Sequence, residues 1–460
     1  MAAWVRDLHF PRLDILITVD AIYQVTPAGP VPAAYGDSLY LSNLDDMVGS
    51  RVFTPTVYFY SENNQREPIA KVFRRALANV LVPYYPLSGR LRETIEGKLE
   101  VFFGPDQGAL MVEARSSLKL ADLGDLRVPN PAWAPLIYRF PVEGADQVVN
   151  MPLVIAQLTT FSCGGFSLGL RLCHCVCDGL GAMQFVAAWA TLAKVGPASK
   201  ISPSPCWDRE FFRPRVPPTV KFPHKEFARM EEGSSLGLIL SQAKLVQKCY
   251  SVSREFQARL KWLAQSADED ARTGFDAVAA HVWRSWVKAI GIRPLDYELR
   301  LSFSVNARPK LGAPPLKEGF YGNALCVACA TSTAARLAEG TLSAAAGRVR
   351  EARVAVSEEY MRSTVDYLET HRPTRLEFAG KLSITQWTRF SMYESSDFGW
   401  GRPLYAGPID LTPTPQICVL LPDGDASGGD GSLVVWICLP EYATGSFGQC
   451  LSKLDCDDEM

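Results

Sequence analysis

Five histidines occur in the 460 residues, so the search for a neutral general base is short. His9 lies near the N-terminus and His224 in a proline-rich stretch. His281 sits among apolar residues at helical spacing, which predicts a core histidine, and His371 lies in the polar run ETHRPTR, which predicts a solvated one. His174 differs from these. It ends the apolar run Phe166 to Cys173 and is followed by Cys175-Val176-Cys177-Asp178-Gly179, so the chain turns sharply just after it. A histidine on a loop at a strand end is placed to face a cleft. An imidazole, with an unperturbed pKa of about 6.5, can take up a proton near neutrality. Asp178 has three available roles: orienting the ring, pairing with an arginine to lock the turn, or capping the helix that follows.

Three other patterns resemble chemistry and are rejected. Gly165-Phe166-Ser167-Leu168-Gly169 has the G-x-S-x-G form of a nucleophile elbow, which needs the serine at a sharp strand-to-helix turn. Here Ser167 opens SLGLRLCH, which continues as a strand. Cys173, Cys175 and Cys177 bracket His174, but alternation along an extended strand would put all three on one face and His174 on the other. Cys326-x-x-Cys329 lies in a strand-like run with no second Cys/His pair at zinc spacing. The twelve cysteines therefore read as reduced, mostly buried side chains, and no metal site is expected.

The elements that must carry these residues can be read by period. Thr54 to Tyr60 is a strand, Pro68 to Val82 an amphipathic helix, and Tyr84 to Leu91 a turn into another strand. Leu153 to Thr160 and Phe166 to Cys173 are strands, and a helix covers Ala182 to Lys194. From 196 to 225 the prolines at 197, 203, 205, 214, 217, 218 and 223 predict a long, semi-rigid crossover. That divides the chain into a first domain, 1–195, and a second, 226–460. Thr273 to Asp276 predicts a capping box ahead of AVAAHVWRSWVKA. A strand at Leu299 to Val305 and a helix in the 343–368 region follow. Gly428, Gly429 and Gly431 predict a hairpin turn between Ile417–Leu421 and Ser432–Leu439. Gly445 and Gly448 predict an irregular C-terminus. The whole is an α/β (α+β) chain of mixed sheets flanked by helices.

Composition narrows the function. The formal net charge is −2 and no basic stripe is present, so nucleic-acid binding is not expected. No apolar run reaches the ~18–20 residues of a membrane span, and the N-terminus lacks the pattern of a signal peptide. A soluble, cytoplasmic monomer is expected. Any anionic ligand would meet a local positive pocket rather than a general field.

Two motifs together point to a family. His174-x-x-x-Asp178-Gly179 and Asp397-Phe398-Gly399-Trp400-Gly401 resemble the HxxxDG and DFGWG signatures of the plant BAHD acyl-CoA-dependent acyltransferases. Tyr84 to Leu91, Gly164-Gly165, Asn306 to Pro309 and Gly319 to Asn323 add to the likeness, which covers essentially the whole chain. The resemblance implies two chloramphenicol-acetyltransferase-like domains joined by the crossover, with a channel between them. A segment near 372–400 would exchange into the first domain. It implies His174 as the base for an attacking hydroxyl or amine, and Thr385 and Trp387 as donors to the oxyanion. It also implies an Asp178–Arg308 salt bridge and a structural role for Asp397 to Gly401. Ser253 and Arg254 would border the CoA site, and Thr56 and Tyr58 would line the acceptor side. Acyl-CoA is the implied co-substrate, with no permanently bound cofactor. The expected reaction moves a hydroxycinnamoyl group, such as feruloyl or p-coumaroyl, to a long-chain alcohol or ω-hydroxy acid. Polyamine N-acylation, acetyl or benzoyl transfer, and a non-enzymatic acyl-binding relative are the alternatives.

Overall fold

In a computed structural model the chain is described from residue 4 to 454, except for 11–12, 32–37, 62–66, 105–106, 141–146, 231–235, 237–241, 266–270, 313, 376–378, 412–415 and 425–430. Two mixed sheets carry its apolar strands. The first has six strands, in the order Tyr405–Pro408, Phe53–Tyr60, Phe166–Cys173, Val154–Phe161, Ala109–Ser116 and Thr18–Val25. The second has seven: Val5–Leu8, Leu245–Val252, Leu433–Pro440, Ile417–Pro422, Lys381–Gln386, Glu298–Asn306 and Leu325–Thr333. A small three-stranded sheet is appended to the first half.

Strand membership crosses the middle of the chain twice. Val5–Leu8 pairs with Leu245–Val252, so the N-terminus joins the second sheet. Tyr405–Pro408 pairs with Phe53–Tyr60, so a late segment edges the first. Within the 372–400 region, Lys381–Gln386 stays in the second sheet, and the chain passes over to the first half only after it.

Phe166–Cys173 is buried along its whole length, as befits an inner strand covered on both faces. The Gly179–Lys194 helix follows it and packs on the Ile69–Val80 helix, where Trp189 Nε1 donates to the Phe73 carbonyl at 3.1 Å. In the second half the Gly274–Ile290 helix begins with the capping box of Thr273 and Asp276 and is almost entirely buried. Its His281 is a core residue whose Nε2 meets the Leu451 carbonyl at 2.9 Å.

Three expectations are corrected: a single helix across 343–368, an irregular C-terminus, and strand alternation through the cysteines around His174. The 343–368 region holds two helices, Leu342–Ala355 and Glu358–His371, and Ser357 caps the second by accepting from Tyr360 N. The C-terminal segment is helical at Thr444–Ser452, because the missing side chain of Gly448 lets the helix lie against the Tyr250 ring. The strand carrying His174 stops at Cys173, and Val176 N turns back to the Cys173 carbonyl. Strand alternation therefore does not govern Cys175 and Cys177; all three cysteines are buried in the first core instead. His224 is buried between Glu226 Oε1 and Ser363 Oγ, each at 2.8 Å, and so fastens the crossover to the Glu358–His371 helix. Ile417–Pro422 and Leu433–Pro440 pair as a hairpin, while Gly428 and Gly429 lie outside the described residues. Among the described residues no helix is long and apolar enough to cross a membrane, and no cluster of three or more His, Cys, Asp or Glu could hold a metal ion.

Candidate active site

His174 occupies the turn between Phe166–Cys173 and Gly179–Lys194, and its backbone is tied at both ends. The His174 N–H donates to the Val52 carbonyl at 2.8 Å, and Asn323 Nδ2 donates to the His174 carbonyl at 2.7 Å. Cys175 Sγ donates to the Ser50 carbonyl at 3.1 Å, so the loop before the Phe53–Tyr60 strand is bound to the same turn. The side chain is half-buried. Its Nδ1 is enclosed and has no hydrogen-bond partner among the described residues.

Asp178 does not reach that ring. Its Oδ1 caps the helix by accepting from Gly181 N at 2.9 Å and also accepts from Arg308 Nη2 at 3.1 Å. Its Oδ2 accepts from Arg308 Nη1 at 2.8 Å and from Ala324 N at 3.2 Å. Arg308 Nη2 donates in turn to the Gly322 carbonyl at 2.7 Å. The pairing and capping roles thus coincide in one carboxylate that is 1% exposed. The helix start fits against the second half only because residue 181 is glycine: a Cβ there would fall 1.8 Å from the Tyr321 carbonyl oxygen. Gly179 is covered by the Phe390 ring, which would have to shift to admit a side chain there.

Arg308 lies two residues past the Glu298–Asn306 strand, which runs parallel to Lys381–Gln386, so both strands end on the same side of the sheet. Along Lys381–Gln386 burial alternates. Leu382 and Ile384 enter the second core, while Lys381, Ser383 and Thr385 line a cavity of about 520 Å³ between the two halves. Val48, Gly49 and Arg51, from the loop clamped to the His174 turn, form its opposite wall. Trp387 lies just past the strand, with its backbone N–H donating to the Leu420 carbonyl at 2.8 Å. It packs against two apolar clusters and meets the Phe390 ring at a tilt, with ring centroids 5.6 Å apart. Thr385 thus faces the cavity from the second sheet, and Trp387 follows two residues on.

The cavity rim is ionic. Arg51 and Arg372 both reach Asp46, at 2.8 and 3.0 Å, and burial pushes the Asp46 carboxyl above its usual range although both cations oppose it. Sequence spacing gave no sign of this rim.

Other marked residues lie elsewhere. Thr56 and Tyr58 are buried in an inner strand of the first sheet and, like His174 and Trp387, are not among the residues that line this cavity. Burial pushes the Tyr58 phenol up to about 12. Ser253 caps the Arg254–Leu263 helix by accepting from Phe256 N, and Arg254 is the first residue of that helix. Neither lines the cavity.

Asp397 to Gly401 anchors the chain where it returns to the first half. Asp397 Oδ1 accepts from Gly399 N and Gly401 N, both at 3.0 Å, and its Oδ2 meets Lys194 Nζ at 2.6 Å. The two glycines take positive φ, 107° and 79°, which a side chain would strain. Phe398 is fully buried, stacks on Phe73 at 4.6 Å and meets the edge of Trp189 at 5.2 Å.

A histidine turn fixed between two sheet-based halves, beside a cavity that both halves line, is the arrangement of a two-substrate group-transfer enzyme. The profile of the Transferase family matches residues 15–453, and the chain belongs to this family, the BAHD acyltransferases; it is an acyl-CoA-dependent O-acyltransferase. It is 36% identical over 392 residues to an omega-hydroxypalmitate O-feruloyl transferase of Arabidopsis thaliana, covering 84% of this chain and 83% of that one. A fatty alcohol:caffeoyl-CoA acyltransferase of the same plant is 33% identical over 416 residues, covering 89% and 93%. Among solved structures, vinorine synthase superposes with a TM-score of 0.71 at 21% identity, covering 97% of this chain and all of that one. TRI101 of F. graminearum, crystallised with coenzyme A and deoxynivalenol, gives 0.70 at 16% identity, covering 89% and 96%. These two likenesses show the fold.

Proposed function

We propose that the enzyme transfers a hydroxycinnamoyl group, such as feruloyl or p-coumaroyl, from CoA to the hydroxyl of a long-chain ω-hydroxy acid or fatty alcohol. His174 is the general base. The observation that carries this reading is the clamped His174 turn beside a cavity whose wall includes Thr385. The imidazole takes the proton as the acceptor oxygen attacks the thioester carbonyl. The resulting oxyanion receives hydrogen bonds from the Thr385 hydroxyl and the Trp387 indole N–H, and its collapse expels CoA thiolate, which leaves with a proton. No acyl-enzyme forms. General-base assistance of this kind contributes ~10²–10⁴-fold and one oxyanion donor ~10²–10³-fold.

The chemistry of the cavity supports the acceptor class. Met47, Val48, Phe227 and Leu368 give it apolar walls suited to a long aliphatic chain, and its rim carries both signs, with Arg51 and Arg372 paired to Asp46. The two plant relatives act on acceptors of this kind by name. Ser253 and Arg254 are proposed to meet CoA phosphate, because a helix N-terminus and an adjacent guanidinium favour anions. We place the enzyme in the cytoplasm, acting as a monomer.

The test is thiol release with product identification by mass spectrometry. Feruloyl-, p-coumaroyl-, caffeoyl-, benzoyl- and acetyl-CoA are each offered with ω-hydroxypalmitate, fatty alcohols, shikimate and spermidine. An ester of a hydroxycinnamate and a long-chain acceptor, lost in His174→Ala, is expected. Preferred amide formation, or full turnover without His174, overturns the reading.

A further inference from the structure

We infer that Asp45 and Asn323, backed by Arg209, are positioning residues for His174: a buried network that fixes the imidazole through the backbone of its turn. The inference rests on His174 being the base.

A catalytic histidine is ordinarily aimed by a hydrogen bond at the ring nitrogen that does not do the chemistry. His174 has no such bond at Nδ1 among the described residues, and Asp178 is spent on Arg308, Gly181 and Ala324. Its aim must come from the peptide that carries it. That peptide's carbonyl is held by Asn323 Nδ2 at 2.7 Å. Asn323 is itself fixed, because its N and Nδ2 both donate to Asp45 Oδ1 at 3.0 Å. The amide therefore faces two acceptors, and only its NH₂ group can satisfy both.

Asp45 is fully buried and has no freedom left. Its Oδ2 accepts from Ser42 N at 3.0 Å and Ser42 Oγ at 2.6 Å, and it forms an ion pair with Arg209 Nε at 3.2 Å. Arg209 grips the far end of the same turn, donating to the Val176 carbonyl at 2.6 Å. Its guanidinium is packed over Trp207 at 4.0 Å and held by the Trp207 carbonyl at 2.9 Å. Two carbonyls of the turn, at 174 and 176, thus lead back to one carboxylate through two separate arms. On the other side stand Asp178 and Arg308, and the strip from Gly322 to Ala324 touches both acid–arginine pairs. The turn is braced from two sides, and only one brace belongs to the HxxxDG motif.

A misplacement of about 1 Å at a reacting group can cost ~10²-fold in rate. Asn323→Ala removes the arm to His174 and leaves the Asp45–Arg209 pair intact. Asn323→Asp keeps the shape but replaces the shared NH₂ with an acceptor. Both are assayed with feruloyl-CoA and ω-hydroxypalmitate, or the most active pair of the panel above, beside thermal unfolding. A kcat loss of about 10–100-fold, with both KM values within about threefold, is expected on the scale of such a displacement. Asn323→Asp is expected to be no better than alanine. The double variant Asn323→Ala/His174→Ala is expected to match His174→Ala alone, whereas general structural damage would multiply the losses. An Asn323→Ala enzyme that keeps kcat within twofold overturns the inference, as does a double variant that loses the full product of both effects. Either failure, seen while His174→Ala keeps only a small measurable residue of activity, leaves the base reading standing; a fully active His174→Ala removes that reading instead.

Discussion

Asp178→Asn keeps the shape of the residue and removes its charge. In the wild type, four donors converge on this carboxylate: Gly181 N, Ala324 N and two from Arg308. An amide can still cap the helix through its oxygen, but its NH₂ group must face Arg308 or the Ala324 N–H, donor against donor. Removing one partner of a buried ion pair typically costs ~3–5 kcal/mol. Here the Arg308 side chain keeps 19% of its exposure and retains the Gly322 carbonyl, so part of its charge stays solvated or bonded. About 2–4 kcal/mol is therefore expected, near one to two charge-assisted hydrogen bonds at ~1.5–3 kcal/mol each. For folding units of 150–250 residues, ~2–4 °C per kcal/mol converts this to a fall of roughly 4–16 °C in Tm. The assay is differential scanning calorimetry with circular dichroism at matched protein concentration. Arg308→Lys serves as the companion, because it keeps the cation and loses the two-pronged fork. It should fall between wild type and Asp178→Asn. A Tm within about 1 °C of wild type for Asp178→Asn would refute the reasoning, since a carboxylate with these four partners cannot be neutralised at no cost if the pair bears on stability.

Three further outcomes follow from the geometry. Thr385→Val removes a polar hydrogen with little change in shape, and Trp387→Phe removes the indole N–H together with one ring of the side chain; kcat should fall ~10²–10³-fold for Thr385→Val with KM nearly unchanged, and at least as far for Trp387→Phe, as steady-state kinetics will show. Gly181→Ala places a methyl group 1.8 Å from the Tyr321 carbonyl oxygen, so the helix must shift away from the second half; a strong drop in soluble yield and Tm is expected, and a wild-type melting curve would contradict the close approach. The Asp397 carboxyl is drawn upward by burial, but Lys194 and the Gly399 and Gly401 N–H groups more than offset this and hold it below its ordinary value. A lowered folded-state pKa contributes stability above the unfolded pKa, near ~3.9, that is lost as pH falls through the folded value. Tm measured from about pH 6 to pH 3 should therefore fall less steeply in Lys194→Met than in wild type, and parallel curves would exclude the pairing.

What the sequence discloses here is local, and what it conceals is distant. The inner strand ahead of His174 announces itself by an unbroken apolar run, and the Gly274–Ile290 helix by Thr273 and Asp276, since both signals lie within a few residues. The break at Ser357 was also written locally, in a cap followed by Glu358 and Glu359, yet the alanine-rich pattern on its near side masked it. The cysteine alternation misled because it extended a strand past its true end at Cys173. Asp45 carries no local sign of its role: its bonds to Asn323 span 278 positions. His224 meets Ser363 across 139. The ionic rim likewise joins Asp46 to Arg372, 326 residues away. Spacing rules cannot find such pairs, because a tertiary partner imposes no period on the chain.

The exchange of edge strands between the sheets has a consequence for the nascent chain. Until residues 405–408 emerge, the Phe53–Tyr60 strand lacks the neighbour that closes its outer side. At ~5–20 residues per second, synthesis from Cys173 to Pro408 takes roughly ten to fifty seconds, during which that strand is an open template for mispairing. The N-terminal Val5–Leu8 strand waits in the same way for Leu245–Val252. Each half is thus finished by a piece of the other, and neither sheet is complete until most of the chain has been made.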